Sequence, residues 1–287
     1  MFKPTRRSLA VLLFATLPVQ AMHHAAAEGK AGVSTETRAK SVIIETKLQD
    51  TIDGEHRSAA NKARDPYRHP HETLTFFGLT DDMTVVEVWP GGGWYQEILA
   101  PYLADNGQYI AAGWPEGTEV GYQQRLRAQE IARIKTQSEL YGRIVQTEFQ
   151  PPETVLLAPA GSADLVLTFR NTHSWMRSDE MAPAAFKAMY DALKPGGILG
   201  LVAHESKLET PVPGTGYLTQ AQVRDLAEAA GFVFVAASDI NHNPLDSTDH
   251  PNGVWTLPPV LRGDGDKAVY QKMGESHRMT LKFTKPE

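Results

Sequence analysis

The chain has 287 residues, a formal net charge of −6 at neutral pH, a mean hydropathy of −0.33 and no cysteine. The acidic balance argues against nucleic acid or an anionic membrane surface as partner, and without cysteine there is neither a disulfide framework nor a thiol to carry a lipid. No stretch reaches the roughly 20 apolar residues of a membrane span, so membrane insertion is not expected and stability must rest on an ordinary packed core.

The first segment reads as removable. Lys3, Arg6 and Arg7 precede an apolar run from Leu9 to Leu17, and Val19-Gln20-Ala21 has the small-residue spacing of a cleavage site. Residues 1–21 are therefore expected to be a signal peptide, and the mature chain to be periplasmic or secreted. Thr5-Arg6-Arg7-Ser8-Leu9 also resembles a twin-arginine export signal, a route that carries folded proteins. Losing Lys3, Arg6 and Arg7 with this segment moves the formal charge from −6 to −9. Residues 22–40 mix alanine, glycine and charge without an apolar period and are expected to form a flexible arm, leaving residues 41–287 as one domain. Arg64-Asp65-Pro66-Tyr67-Arg68-His69-Pro70 then places charged and aromatic residues beside two prolines, as either a cover over a site or a rigid surface turn.

From residue 83 onward short apolar runs alternate with amphipathic segments, the pattern of a mainly parallel sheet with helices on both faces. Strands are predicted over 84–89, 108–112, 143–149, 164–170, 198–204, 232–240 and 279–283, and helices over 96–103, 119–141, 181–193 and 219–230. Thr219 suits an N-cap, and Gly231 a left-handed residue after a helix end. About forty residues rich in Asn, Asp, Pro and Gly precede the last strand, a length that suggests a lid over the strand ends.

The richest segment is Val85-Val86-Glu87-Val88-Trp89-Pro90-Gly91-Gly92-Gly93, an apolar run ending in an acid and a glycine turn that opens a helix. Such a turn lets the backbone approach a ligand closely, although it can also do no more than join a strand to a helix. Together with Leu193-Lys194-Pro195-Gly196-Gly197-Ile198-Leu199 and Ala229-Ala230-Gly231-Phe232, it resembles the class I S-adenosylmethionine-dependent methyltransferases, in particular a group of exported predicted methyltransferases. The resemblance covers roughly residues 64 to 285 and implies a Rossmann-like, seven-stranded, mainly parallel sheet with helices on both faces and a reversed final hairpin.

The resemblance also implies S-adenosyl-L-methionine as cofactor. Glu87 falls where the family's acid holds the methionine ammonium group, and Gly91, Gly92 and Gly93 where its glycine turn lies against the ligand. Trp89 stands in place of the family's first glycine. At the end of the second strand, where the family has an acid that grips the ribose, the chain reads Ala112-Gly113-Trp114-Pro115-Glu116, so Glu116 is the nearest substitute. Asn171 and His173, just past the fourth strand, are the candidate catalytic residues: His173 as a general base and Asn171 to orient the acceptor, or either as a helix cap. Trp175 can wall off water, and His204-Glu205 lies past the fifth strand. Glu180, His242, Asp246, Asp249 and His250 are further polar loop residues, none with metal-ligand spacing, so no metal is expected.

Three functions fit these residues. The first is methyl transfer in the periplasm to a small-molecule or peptide-like acceptor. The second is a non-catalytic exported binding protein that kept the methyltransferase fold, which Trp89 and Gly113 favour. The third, a nicotinamide-dependent oxidoreductase, is disfavoured because the spacing from Glu87 to Gly93 is the methyltransferase order.

Overall fold

The computed structural model describes residues 35–287, and the expected signal peptide and residues 22–34 of the arm lie outside the described residues. The chain enters through α1 (Thr35–Asp53), which has no clear apolar stripe and which the sequence pattern did not reveal; Leu48 and Ile52 nevertheless anchor it in the core. Three short helices follow: α2 (Ala59–Lys62), α3 (Asp65–Arg68) and α4 (Pro70–Phe77). The chain then alternates β1 (Thr84–Val88), α5 (Gln96–Leu103), β2 (Gln108–Gly113), α6 (Gly121–Thr136), α7 (Ser138–Tyr141), β3 (Val145–Glu148), β4 (Ala163–Phe169), α8 (Thr172–Trp175), α9 (Met181–Ala192) and β5 (Leu193–His204). It ends with α10 (Gln220–Ala229), β6 (Val233–Ser238), a 3-10 turn (Gly253–Thr256), α11 (Lys267–Met273) and β7 (Arg278–Thr284).

These strands form one seven-stranded sheet in the order β3-β2-β1-β4-β5-β7-β6. All neighbours are parallel except β7, which runs antiparallel to both β5 and β6. The expected Rossmann-like class and reversed final hairpin are what the chain adopts. Successive side chains of a strand point to opposite faces, and here both faces are covered. Val86 and Val88 enter one buried cluster with Ile110, Val166 and Leu201, while Val85 enters the other with Leu165, Leu167 and Phe77. This two-sided burial is why the strands read as nearly continuous apolar runs.

Two boundaries differ from expectation. The single helix predicted over 119–141 breaks at Gln137, whose φ of −127° and ψ of 48° are not helical, giving α6 and α7. Residues 194–197, which lie between the predicted helix over 181–193 and strand over 198–204, are absorbed into β5, whose pairing with β4 shifts register between Ala163 and Leu165. Thr219 does cap α10, through a reciprocal capping box with Gln222, and Gly231 after the helix takes a φ of +104°.

Candidate functional site

In an open α/β sheet, ligands meet the carboxyl ends of the strands where the strand order reverses. Here that reversal lies between β1 and β4. The segment after β1 is under local strain: Trp89 has a φ of +50°, and Gly91 and Gly93 have +60° and +79°. A non-glycine residue in the left-handed region costs on the order of 1–3 kcal/mol and persists only where its surroundings hold it. The Trp89 indole is held by donating Nε1 to the Phe149 carbonyl at 2.8 Å and by packing on Trp114 and Trp175 with ring centroids 5.6 and 5.5 Å away. The family's first glycine is thus replaced by a ring that lies among the rings past β2, β3 and β4.

The glycine turn has an open side. A side chain at Gly92 would meet nothing within 4 Å, and one at Gly91 only the Trp89 carbonyl at 4.0 Å. Gly93 is different, because a Cβ there would collide with the Arg133 guanidinium. Arg133 reaches over from α6, donating to the Gly92 carbonyl at 3.1 Å and to the Gln96 side chain; Gln96 in turn donates to Glu130 at 2.7 Å. The turn is therefore pinned from beneath by a polar network and left bare above.

Glu87 is 3% exposed and accepts a hydrogen bond from the Tyr109 hydroxyl at 2.6 Å. Burial pushes its carboxyl up to about 7, against the downward pull of Tyr109, Arg133 and Arg68, while nearby Glu130 adds to the rise. Glu116 is exposed, and only its backbone N–H is engaged, donating to Glu148 at 3.0 Å. The acid beside the end of β2 is instead Glu130, whose carboxylate oxygen lies 3.6 Å from where a Cβ of Gly113 would be. No sequence motif marks Glu130, because it arrives from the middle of α6 and depends on Gly113 leaving room.

Asn171 sits at the N-cap position of α8 without capping it; its amide donates to the Val88 carbonyl at 2.7 Å and to Thr168 Oγ1 at 3.2 Å, tying the end of β4 to that of β1. His173 faces His204, with ring centroids 5.3 Å apart, and Trp255 of the lid at 5.8 Å. Burial, with Arg177 and Arg170 nearby, lowers the His173 imidazole to about 4, so it is neutral at physiological pH. His204 is likewise pushed well down by burial and nearby positive groups, and its Nδ1 lies 2.6 Å from Ser276 Oγ. Trp175 is fully buried in the core under these residues.

The lid is ordered by Asp246, which is wholly buried and accepts hydrogen bonds from Tyr217, the backbone of Thr248 and the backbone of His277, with His250 Nε2 at 2.9 Å. Beside it, Glu205, His242 and His277 bring one ligand atom each within 4.8 Å of one another. The His277 Nδ1 accepts the Asn243 N–H at 2.9 Å, so its proton sits on Nε2, toward Glu205 at 3.6 Å. Metal-bound histidine normally donates through its other nitrogen, whereas His277 accepts there, and as arranged it takes part in a hydrogen-bonded cluster. Two surface depressions, of about 670 Å³ beside α1 and about 210 Å³ at the opposite end of β2, lie away from the crevice.

A further set of buried polar atoms finds no partner: Trp114 Nε1, Gln150 Oε1, Thr172 Oγ1 and Trp175 Nε1. All four follow the carboxyl ends of β2, β3 or β4. Orphaned donors and acceptors of this kind are uncommon in a native interior and call for a bound group or water.

No protein-family model matches the chain, and no curated protein resembles it in sequence. Its structure is similar to a S-adenosylmethionine-dependent methyltransferase from Aquifex aeolicus, at 14% identity and a TM-score of 0.52 over 84% of this chain and 98% of that one. It is also similar to the 4+2 cyclase SpnF, at 19% identity and a TM-score of 0.50 over 88% and 97% of the two chains. A third likeness is to phosphoethanolamine N-methyltransferase 2 of Haemonchus contortus, solved with phosphomonomethylethanolamine and S-adenosylhomocysteine, at 14% identity and a TM-score of 0.51 over 88% and 58%. Identities this low speak to architecture alone, and the architecture of this chain is the class I methyltransferase fold.

Proposed function

We propose that the protein is a S-adenosylmethionine-dependent methyltransferase that acts, after export to the periplasm, on a small-molecule or peptide-like acceptor. The observation that carries this reading is the bare upper side of Gly91 and Gly92 next to Glu87, at the switch point of a methyltransferase fold. The unpartnered atoms of Trp114 and Gln150 fit a nucleoside, which offers both hydrogen-bond donors and acceptors. Glu87 would hold the ammonium group of the cofactor, Gly91 and Gly92 its close approach to the backbone, and Glu130 the ribose side. When bound, S-adenosylmethionine supplies a methyl group already activated on a sulfonium.

The residues of the chain then supply alignment and exclusion of water more than bond chemistry. His173, neutral at working pH with its Nε2 3.3 Å from Ser174 Oγ, is a weak base for an acceptor oxygen or nitrogen, since burial lowers it to about 4, and Trp255 covers it from the lid. Asn171 holds the strand ends in register through Val88, which fixes where His173 stands relative to the glycine turn.

The second reading, an exported binding protein without catalysis, is favoured by the Trp89 ring where the family keeps a glycine. The cyclase among the similar folds illustrates that this architecture serves other chemistry. Calorimetric titration with S-adenosylmethionine, S-adenosylhomocysteine and NAD separates the readings. Micromolar binding of the first two and none of NAD is expected. Absence of binding by both sulfur ligands would rule out the methyltransferase.

A further inference from the structure

Three arginines bond one carboxylate, and the charge of a fourth, Arg170 after β4, also acts on it. Glu275, 3% exposed, accepts from Arg64 Nε at 2.6 Å, from Arg68 Nε at 3.1 Å and from Arg278 Nη1 at 3.2 Å. Arg170, the residue after β4, completes the group. Its φ of +63° is the second strained non-glycine conformation at a central strand end, and its side chain forms no hydrogen bond among the described residues. The Nη2 atoms of Arg64 and Arg68 are buried without a partner, although Arg68 is itself only 3% exposed.

Four positive charges against one negative leave an excess of three in a poorly hydrated place, where Arg278 also donates Nε to the Ser276 carbonyl at 3.1 Å and Nη2 to the Tyr67 carbonyl, and Arg68 lies over the Trp94 ring at 4.7 Å. A buried ion pair is already costly, and each further cation adds repulsion. Burial and the neighbouring cations lower Arg68 to about 9 and Arg170 and Arg278 to about 10, so all three remain charged at neutral pH and their repulsion is not relieved by deprotonation. The Tyr95 hydroxyl, His173 and His204 beside the cluster are held neutral, and Glu87, whose carboxyl feels Arg68, is raised by burial to about 7 and is bonded to Tyr109. Unused planar guanidinium donors match the paired oxygens of a carboxylate or phosphate.

We propose that Arg64, Arg68 and Arg170, backed by the charge of Arg278, form a binding site for an oxyanion, a carboxylate or phosphate group carried by the molecule that reacts beside His173. Naming that molecule the methyl acceptor rests on the function proposed above, while the anion site does not. The site has a way in: the Arg64 side chain is 23% exposed, Arg170 is only part-buried, and Tyr67 at its rim is 39% exposed. Arg170 donates its backbone N–H to the Val202 carbonyl, two residues before His204, and lies three residues before His173, so an anion held there would bring the remainder of its molecule toward the candidate base.

The test titrates the full chain with inorganic phosphate and with acetate by calorimetry, repeated with S-adenosylhomocysteine present. Saturable binding is expected, weakened at least tenfold by Arg170→Gln and by Arg64→Gln, with the unliganded melting temperature of Arg170→Gln not lowered, because its side chain forms no hydrogen bond and its loss relieves repulsion among the cations. Stronger binding of phosphate than of acetate would assign a phosphate ester, and the reverse a carboxylate. No saturable binding of either anion, or binding unaltered in both variants, overturns the site. Competition between phosphate and S-adenosylhomocysteine would also overturn the assignment, because the arginines would then hold the cofactor's own carboxylate. If phosphate binds and S-adenosylhomocysteine does not, the anion site stands and the methyltransferase reading falls.

Discussion

Replacing Glu87 by Gln should stabilise the unliganded protein above pH 7 while abolishing cofactor binding. Burial raises the folded pKa of Glu87 from 4.5 to about 7. A carboxyl group with a raised folded pKa keeps a proton that the unfolded chain has already lost, so stability declines as pH rises from 4.5 through 7 and stays reduced above that. A displacement of this size corresponds to up to about 3 kcal/mol. Glutamine has the same shape and still accepts the Tyr109 hydroxyl, so it escapes that cost without opening a cavity. In a domain of this size each kcal/mol moves the melting temperature by about 2–4 °C, giving a rise on the order of 6–12 °C. Urea and thermal unfolding of both proteins at pH 8 and pH 5 measure it, with the gain present at pH 8 and mostly gone at pH 5. Equal stability at pH 8, or the same gain at both pH values, would refute the reasoning.

Gly92→Val adds a side chain to open space at a position without positive φ, so the melting temperature should hold while S-adenosylhomocysteine affinity drops at least tenfold; undiminished affinity in calorimetry would take the glycine turn out of the site. Glu275→Gln should cost about 3 kcal/mol at pH 7, since it strands Arg68 and Arg278 without their buried partner. Burial alone would raise the Glu275 carboxyl, but Arg68, Arg278, Arg170 and Arg64 together hold it at about 2, so its contribution is full above pH 4.5 and disappears as pH falls from 4.5 through 2. Denaturant unfolding across that window should bring the variant and the natural protein together, and a constant gap would contradict the assignment. In NMR titration the His173 and His204 rings should stay neutral down to about pH 5. A midpoint near 6.5 for either would mean that the crevice is open to water.

Among the pieces of this protein, those set by local chemistry were legible in the sequence. The core strands announced themselves because both faces of the sheet are covered, which favours apolar residues on both, as in Val85, Val86 and Val88 around the buried Glu87. Thr219 and Gly231 marked a helix start and stop because capping and left-handed φ depend on neighbours a few residues away. The acid and glycine turn after β1 was visible for the same reason. Only the tertiary structure decided what that turn faces. It put Arg133 against Gly93, brought Glu130 beside Gly113, left Glu116 exposed and buried the Trp89 ring among Trp114, Phe149 and Trp175. It also assembled the arginine cluster, in which Arg64 and Arg68 meet Glu275 across separations of 211 and 207 residues. No periodicity can register such a meeting, because it is created by the antiparallel return of β7 along β5, which brings Arg278 opposite His204 and carries the lid back over the strand ends.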